Sequence, residues 1–204
     1  MKKALCIILS LILIFALAGC GSKTVYFDKE LDSEEAAKKE ATTHLPLSLR
    51  AQNEFTLGVT TLTIDENGKF AGQYSETITN DKADAYPQGT FYSSNFTGEF
   101  AGFSVENDYT IELTLYNPKV EGEKNAESID ETVGIRYLNA LPKAFEKSET
   151  EFTLFTPEAP KAAVPSGVLS VLPYGTSDNI ELYVLYNNET GDIFTSATED
   201  EFYY

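Results

Sequence analysis

The chain has 204 residues, with 32 Asp or Glu against 15 Lys or Arg, so its formal net charge is −17. This acidic balance argues against a nucleic-acid partner, because a surface that binds phosphates must be basic, and against electrostatic docking on anionic lipid headgroups. One histidine and two cysteines leave little for a zinc, haem or iron–sulfur centre, so we expect no cofactor and no metal.

The first residues have the charge order of a secretory signal. Lys2 and Lys3 precede an apolar run, Ala4–Leu17, that only Ser10 interrupts. A run of about 14 residues matches the apolar region of a signal peptide and is shorter than the ~20 residues that a transmembrane helix needs. Two interpretations that involve no lipid are an ordinary signal peptide that happens to contain a cysteine and an uncleaved membrane helix.

The apolar run ends at Leu17-Ala18-Gly19-Cys20, which closely resembles the lipobox of bacterial lipoproteins. The resemblance implies that a diacylglycerol is attached to the Cys20 thiol and that residues 1–19 are removed as a signal peptide. The protein would then be anchored through its lipid on the outer face of the cytoplasmic membrane. Because Cys6 would leave with the signal, no thiol would remain for a disulfide.

Residues 20–44 are highly charged and are predicted to form a tether between the lipid and a β-rich extracytoplasmic domain at residues 45–204. Asp32 and Glu35 have the spacing of a capping box, which predicts a short helix over about residues 33–41. This helix lacks a continuous apolar stripe, so we expect it to be solvated.

From Leu45 onward, apolar and polar residues alternate with a period of two, which is typical of strands. The apolar residues occupy odd positions up to Val59 and even positions from Leu62, which predicts a bulge near residues 60–61. Asn67-Gly68, placed between two apolar runs, predicts a hairpin turn.

The rest of the chain continues this β pattern. Asn117-Pro118 is predicted to end the strand that begins at Tyr109. About eight strands with little helix predict a mainly β fold, either an antiparallel up-and-down barrel or a sandwich with short helices. Further elements are predicted as strands near 70–78, 91–105, 109–116, 133–137, 152–154, 180–184 and 193–194, a charged loop at 119–131, a short helix at 142–147 and a hairpin loop at 187–191.

Two segments, Phe70–Tyr74 and Phe96–Phe100, share the pattern Phe-x-Gly-x-aromatic. In a strand, the glycine and both aromatic residues of this pattern point to one face. Glycine permits tight coiling of a sheet, and large neighbouring rings can cover the gap that it leaves. We therefore predict that the two segments lie in one sheet that curls towards closure.

A further resemblance rests on four segments of the chain: Asp65–Gly72, Phe96–Phe100, Gly134–Tyr137 and Phe152–Pro157. These segments are similar to parts of a group of secreted lipoproteins from Gram-positive anaerobes. The resemblance implies a lipocalin-like β domain. It implies no activity, so it assigns no functional residue.

Few residues point to catalysis. Nucleophilic catalysis needs a base beside the nucleophile, and the one histidine, His44, lies at the predicted tether–domain junction, where we expect a surface or packing role. No G-x-S-x-G, S-x-x-K, H-E-x-x-H or P-loop spacing occurs. A glycosidase needs a pair of carboxylates. The candidates are Glu76, Glu99 and Glu112, and we interpret all three as solvated strand residues. We therefore expect no enzyme and no catalytic residue.

Aromatic residues are the most suggestive feature, with 13 Phe and 12 Tyr. A tyrosine offers an apolar face and a polar tip, which suits a sugar or lipid site, although aromatic residues also fill β cores. We expect a monomeric, non-catalytic binding module for a small ligand or glycan; the alternative is a structural protein that contacts another envelope component. An aromatic cavity would favour the first hypothesis, and a filled interior with a flat apolar patch would favour the second.

Overall fold

The computed structural model describes residues 34–53, 58–173 and 175–196, so Cys20, the signal segment and most of the predicted tether lie outside it. The described helices are α1 (Glu34–Thr42) and α2 (Ser166–Leu169), with 3₁₀ turns at Lys143–Phe145 and Lys161–Ala163. The described strands are β1 (Leu47–Asn53), β2 (Gly58–Ile64), β3 (Lys69–Ile78), β4 (Gly89–Asn107), β5 (Thr110–Val120), β6 (Glu127–Asp130), β7 (Ile135–Asn139), β8 (Glu151–Phe155), β9 (Val184–Asn187) and β10 (Ile193–Thr195).

Eight of these strands close into an antiparallel up-and-down barrel. Their order around the barrel is β1, β2, β3, β4, β5, β8, β9 and β10, and β10 returns to β1. The predicted mainly β fold is thereby confirmed, as a barrel rather than a sandwich. The remaining strands, β6 and β7, form a side hairpin, in which β7 pairs in parallel with the first residues of β4 and β6 pairs with β7.

Phenylalanine side chains fill the barrel interior. Phe145 has no exposed surface and packs against four other phenylalanines at centroid distances of 5.1 to 5.6 Å. It lies in the 3₁₀ turn that enters the barrel at the end where β8 begins. Asn187 holds this turn by donating a hydrogen bond from Nδ2 to the carbonyl oxygen of Ala144 at 2.9 Å. The buried phenylalanines of the interior are Phe70, Phe96, Phe100, Phe103, Phe145, Phe152 and Phe194.

Helix α1 lies at the opposite end of the barrel, directly before β1, and contacts β4. The helix forms where the capping-box spacing predicts it, but the expectation that it is solvated is wrong for its last turn. Ala41 is only 2% exposed and belongs to the barrel core, and Leu45 packs against the same core. One small apolar residue makes no stripe in the sequence, although it lets the helix approach the barrel closely.

A second, smaller core lies beside β8 and β9. Ile180 and Leu182, which the alternating pattern assigns to a strand, pack into this core instead, and β9 begins only at Val184. The chain between residues 156 and 182 therefore folds back over two barrel strands. The buried members of this second core are Phe155, Ala159, Val164, Val168, Ile180, Leu182 and Val184.

The turn between β2 and β3 confirms the Asn67-Gly68 prediction. Gly68 has a φ of 83°, and the carboxylate of Asp65 accepts hydrogen bonds from the backbone N–H groups of Asn67 and Lys69 at 2.8 and 2.9 Å. The predicted bulge near residues 60–61 is wrong, because β2 pairs with β1 and β3 in continuous register through both residues. Phe55 and Leu57, which suggested it, lie outside the described residues.

Strand β5 continues past Asn117-Pro118, where the sequence predicts its end. Asn117 adopts a φ of 51°, and β5 has an extra residue opposite the β4 segment between Thr97 and Glu99. This bulge accommodates a proline that a regular ladder would exclude. The predicted charged loop at 119–131 likewise contains strand β6.

In the described part of the chain, no helix combines the length and the apolar character needed to cross a membrane.

Candidate ligand-binding groove

An open groove of about 520 Å³ lies on the outer face of the barrel, across β2, β3 and β4. Side chains from these three strands form its floor, and residues that follow β5 and end β7 form one wall. Polar side chains dominate both. The floor residues used below are Thr61, Gln73, Ser75, Ser93 and Asn95, and the wall residues are Glu121 and Asn139.

Strand register places the floor residues in rows. Thr61 lies opposite Gln73, which lies opposite Asn95, and Ser75 lies opposite Ser93 in the adjacent row. Successive side chains of a strand point to opposite faces. The barrel-facing neighbours therefore fill the core, while these alternate positions form a continuous polar surface on the outside.

A hydrogen-bond network fixes the wall of the groove. The Glu121 N–H donates to the Asn95 carbonyl at 2.8 Å, and Asn95 Nδ2 donates to the Glu121 carboxylate at 3.1 Å. Asn139 Nδ2 donates to the carbonyl oxygens of Glu121 and Glu123 at 3.0 and 2.9 Å. The carboxylate of Glu121 is thus held at the edge of the groove.

The floor has unused hydrogen-bonding capacity. The side chains of Thr61, Gln73, Ser75 and Ser93 make no hydrogen bond to any residue that the structure describes. Hydroxyl and amide groups both donate and accept hydrogen bonds. The groove can therefore satisfy a ligand that carries several hydroxyl groups in different orientations.

On the opposite face of the side hairpin, a charged cluster ties β7 to β4 and to the loop after β3. The Arg136 guanidinium lies 2.7 Å from the carboxylate of Asp81, donates to the Thr90 hydroxyl at 3.0 Å, and lies 4.6 Å from the ring centroid of Tyr86. A hydrogen bond from the Tyr92 hydroxyl and the charge of Arg136 both lower the pKa of the Asp81 carboxyl. The cluster holds the hairpin that carries the wall of the groove.

His44 contacts the barrel through Tyr183. Its Nδ1 lies 3.3 Å from the Tyr183 hydroxyl oxygen, and the two rings meet edge to face with centroids 5.9 Å apart. This contact is a packing role of the kind expected for His44.

Within the described ranges, no group of three or more His, Cys, Asp or Glu side chains is arranged to hold a metal ion.

The three candidate carboxylates, Glu76, Glu99 and Glu112, have different partners. Glu76 accepts a hydrogen bond from the Tyr74 hydroxyl at 2.7 Å, and Glu99 accepts one from Asn117 at 3.3 Å. In the register of β3 with β4, Glu76 lies opposite Tyr92 and Glu99 lies opposite Lys69, seven residues away along β3. Strand pairing therefore does not bring Glu76 and Glu99 together as a catalytic pair.

Glu112 alternates with the buried Ile111 and Leu113 on β5 and is itself only partly exposed. Burial raises the pKa of its carboxyl, and the like charges of Glu106 and Glu151 raise it further. Thr153 lies beside it on β8 and donates a weak hydrogen bond at 3.4 Å. Glu112 does not line the groove.

The groove residues have no distinctive pattern in the sequence. Their polar side chains occupy alternate positions of strands, as on any solvated sheet face, and only the register of β2, β3 and β4 shows that they share a concave surface. The one available signal is their position beside the Phe-x-Gly-x-aromatic segments.

No protein-family model, no curated protein and no solved structure matches this chain.

Proposed function

We propose that the protein is a lipid-anchored, non-catalytic binding module of the bacterial cell surface, and that the groove across β2, β3 and β4 binds a glycan. The observation that carries this proposal is the set of hydroxyl and amide groups on the groove floor that form no hydrogen bond within the described part of the chain. The lipobox-like segment that ends at Cys20 supports the anchor.

A neutral glycan suits this groove better than the other small-ligand classes. An apolar ligand would need an enclosed apolar cavity, whereas large apolar side chains fill the barrel interior and most of the side chains that line the groove are polar. An anionic ligand would meet the carboxylate of Glu121 in a protein that is already strongly acidic. A neutral sugar offers hydroxyl groups to the floor and to the Glu121 carboxylate without this repulsion.

Binding can be tested on the full mature chain carrying Cys20→Ser, which removes the lipid. An array of neutral oligosaccharides identifies a ligand, and calorimetry then measures its affinity for variants. We expect Thr61→Ala to weaken binding by about five- to tenfold, since one hydrogen bond contributes about 1 kcal/mol. Thr63→Ala is the matched control, because Thr63 lies on the same exposed face of β2 beyond the groove.

Two results would contradict glycan binding in the groove. One is the absence of any glycan bound by the wild-type protein. The other is an equal loss of affinity in Thr61→Ala and Thr63→Ala, which would place the ligand elsewhere.

The anchor has a separate test. We expect Cys20→Ala to release the protein from the membrane or to leave it as an uncut precursor, because stable attachment needs two acyl chains. Wild-type protein found without lipid and with residues 1–19 attached would contradict the anchor. The proposal that the groove binds a glycan would be unaffected.

A second candidate function, contact with another envelope component, is favoured by the filled barrel interior together with exposed apolar residues on the side hairpin. Ile129 and Val133 are 40% and 51% exposed, and β6 is the last strand of the sheet. Under this hypothesis, Ile129→Ser with Val133→Ser would abolish association with that component and leave glycan affinity unchanged.

A further inference from the structure

The groove continues onto an aromatic surface. Next to the row formed by Ser75, Ser93 and Asn139, strand register places Phe91 opposite Tyr137 in the adjacent outer row. The two rows are separated by two residues along each strand, or about 7 Å. The aromatic pair therefore adjoins the groove on the same face of the sheet.

Tyr137 is exposed but held in place. It is 39% exposed, and its ring meets that of Phe91 edge to face, with centroids 5.8 Å apart and an interplanar angle of 71°. Its neighbour Arg136 is fixed from the other face by Asp81 and Thr90. An exposed ring on a fixed strand loses little conformational freedom when a ligand packs against it.

We propose that Phe91 and Tyr137 form a stacking subsite of the glycan site, so that the ligand is a neutral oligosaccharide rather than a single sugar. This inference rests on the proposed function. A pyranose ring carries C–H bonds on its faces and hydroxyl groups around its rim. The electron-rich face of an aromatic ring attracts such C–H bonds, while the polar groove takes the hydroxyl groups of the next sugar.

The dimensions of the surface support an extended ligand. Asn95 and Phe91 mark the two ends of the combined surface on β4, and they are four residues apart, or about 13 Å. This distance exceeds the width of one pyranose ring. Hydrogen bonding at one end and stacking at the other would therefore engage different sugars of one chain.

The test compares chain lengths of one sugar series. On the full mature chain carrying Cys20→Ser, we would titrate the best-binding neutral tetrasaccharide of the array and its monosaccharide. We expect the tetrasaccharide to bind the wild-type protein more tightly than the monosaccharide. Tyr137→Ala should lower affinity for the tetrasaccharide by about tenfold, which corresponds to about 1.4 kcal/mol, and leave the monosaccharide affinity unchanged.

Two further variants separate stacking from folding. Tyr137→Phe retains the ring and should keep the tetrasaccharide affinity, whereas Tyr137→Leu retains an apolar side chain and should lose it. Val133→Ala removes apolar surface from the same hairpin and should change neither affinity.

Failure of the stacking subsite and failure of the proposed function give different results. Wild-type affinity that does not rise with chain length, or tetrasaccharide affinity that Tyr137→Ala leaves unchanged, would overturn the stacking subsite while glycan binding in the groove stands. Wild-type protein that binds no member of the array would overturn the proposed function itself.

Discussion

The phenyl ring of Phe96 lies directly over Gly72, so that a Cβ atom on Gly72 would come within 3.0 Å of the ring. The reverse contact occurs two residues along the same two strands, where the ring of Phe70 lies over Gly98. Strand register places Gly72 opposite Phe96 and Phe70 opposite Gly98. The two Phe-x-Gly-x-aromatic segments therefore interlock in one sheet, as the sequence predicts.

The first prediction is that Gly98→Val lowers the free energy of unfolding by about 1–3 kcal/mol, the usual cost of overpacking a core. The new side chain would meet the Phe70 ring, which cannot withdraw because Phe96, Phe100 and Phe145 surround it. Urea unfolding followed by circular dichroism measures the change.

Ala71→Val is the matched control for Gly98→Val. It adds bulk to the same strand pair, but Ala71 is exposed on the outer face, where substitutions usually change stability by less than about 0.5 kcal/mol. Equal stability of the Gly98→Val variant and the wild type would show that Phe70 does not confine this position.

Local signals predicted much of the fold. The alternation of apolar and polar residues defines β3 and most of β5, and Asn67-Gly68 defines the turn before β3, because each depends on neighbours in sequence. Closure of β10 on β1 and the parallel pairing of β7 with β4 join distant segments. No single strand encodes which partner it takes.

The groove was less predictable than the fold for a related reason. Thr61 and Ser93 lie more than thirty residues apart in the sequence and become neighbours of one surface only through the register of three strands. Their side chains are those of any solvated strand face. The abundance of tyrosine suggested a sugar site but could not distinguish the exposed Tyr137 from tyrosines that pack.

The second prediction concerns Phe145, the residue that fills the barrel from one end. Phe145→Ala should lower the free energy of unfolding by about 3–5 kcal/mol, as large-to-small changes in cores do. If the fold persists, the vacated space is lined by phenylalanines and should bind a small apolar molecule such as benzene. Chemical unfolding measures the loss, and the rise in melting temperature with added benzene measures binding.

Lys143→Ala is the control for Phe145→Ala, because Lys143 is exposed in the same 3₁₀ turn. It should neither destabilise the domain appreciably nor create a benzene site. A stability of Phe145→Ala close to that of Lys143→Ala would mean that the turn does not support the barrel.

The third prediction is that Arg136→Lys loosens the side hairpin. Lysine keeps the charge but cannot reproduce the planar set of hydrogen bonds to Asp81 and Thr90 or the contact with Tyr86. Hydrogen bonds to charged groups contribute about 1.5–3 kcal/mol each. Amide hydrogen exchange in β7 should therefore accelerate by roughly tenfold or more.

Exchange in β9 provides the internal control for Arg136→Lys, since β9 pairs with β8 and β10 on another side of the barrel. Its amides should keep their wild-type rates. Equal acceleration in β7 and β9 would indicate global destabilisation instead of local opening of the hairpin.

The last prediction uses the raised pKa of Glu112. Burial and the charges of Glu106 and Glu151 oppose its ionised form in the folded protein. A folded-state pKa above the ordinary value of 4.5 means that Glu112 contributes most to stability below that value, where it is protonated. This contribution is lost as the pH rises through the folded-state pKa.

At pH 7, Glu112→Gln should therefore be more stable than the wild type, by up to about 1 kcal/mol, the range of exposed charge interactions. The difference should shrink as the pH falls towards 4, since the wild-type carboxyl is then protonated too. Glu66→Gln, in the exposed turn before β3, controls for the general benefit of removing one negative charge from an acidic protein. A stabilisation at pH 7 that is equal in both variants, or that persists unchanged at low pH, would show that the neighbours of Glu112 do not oppose its charge.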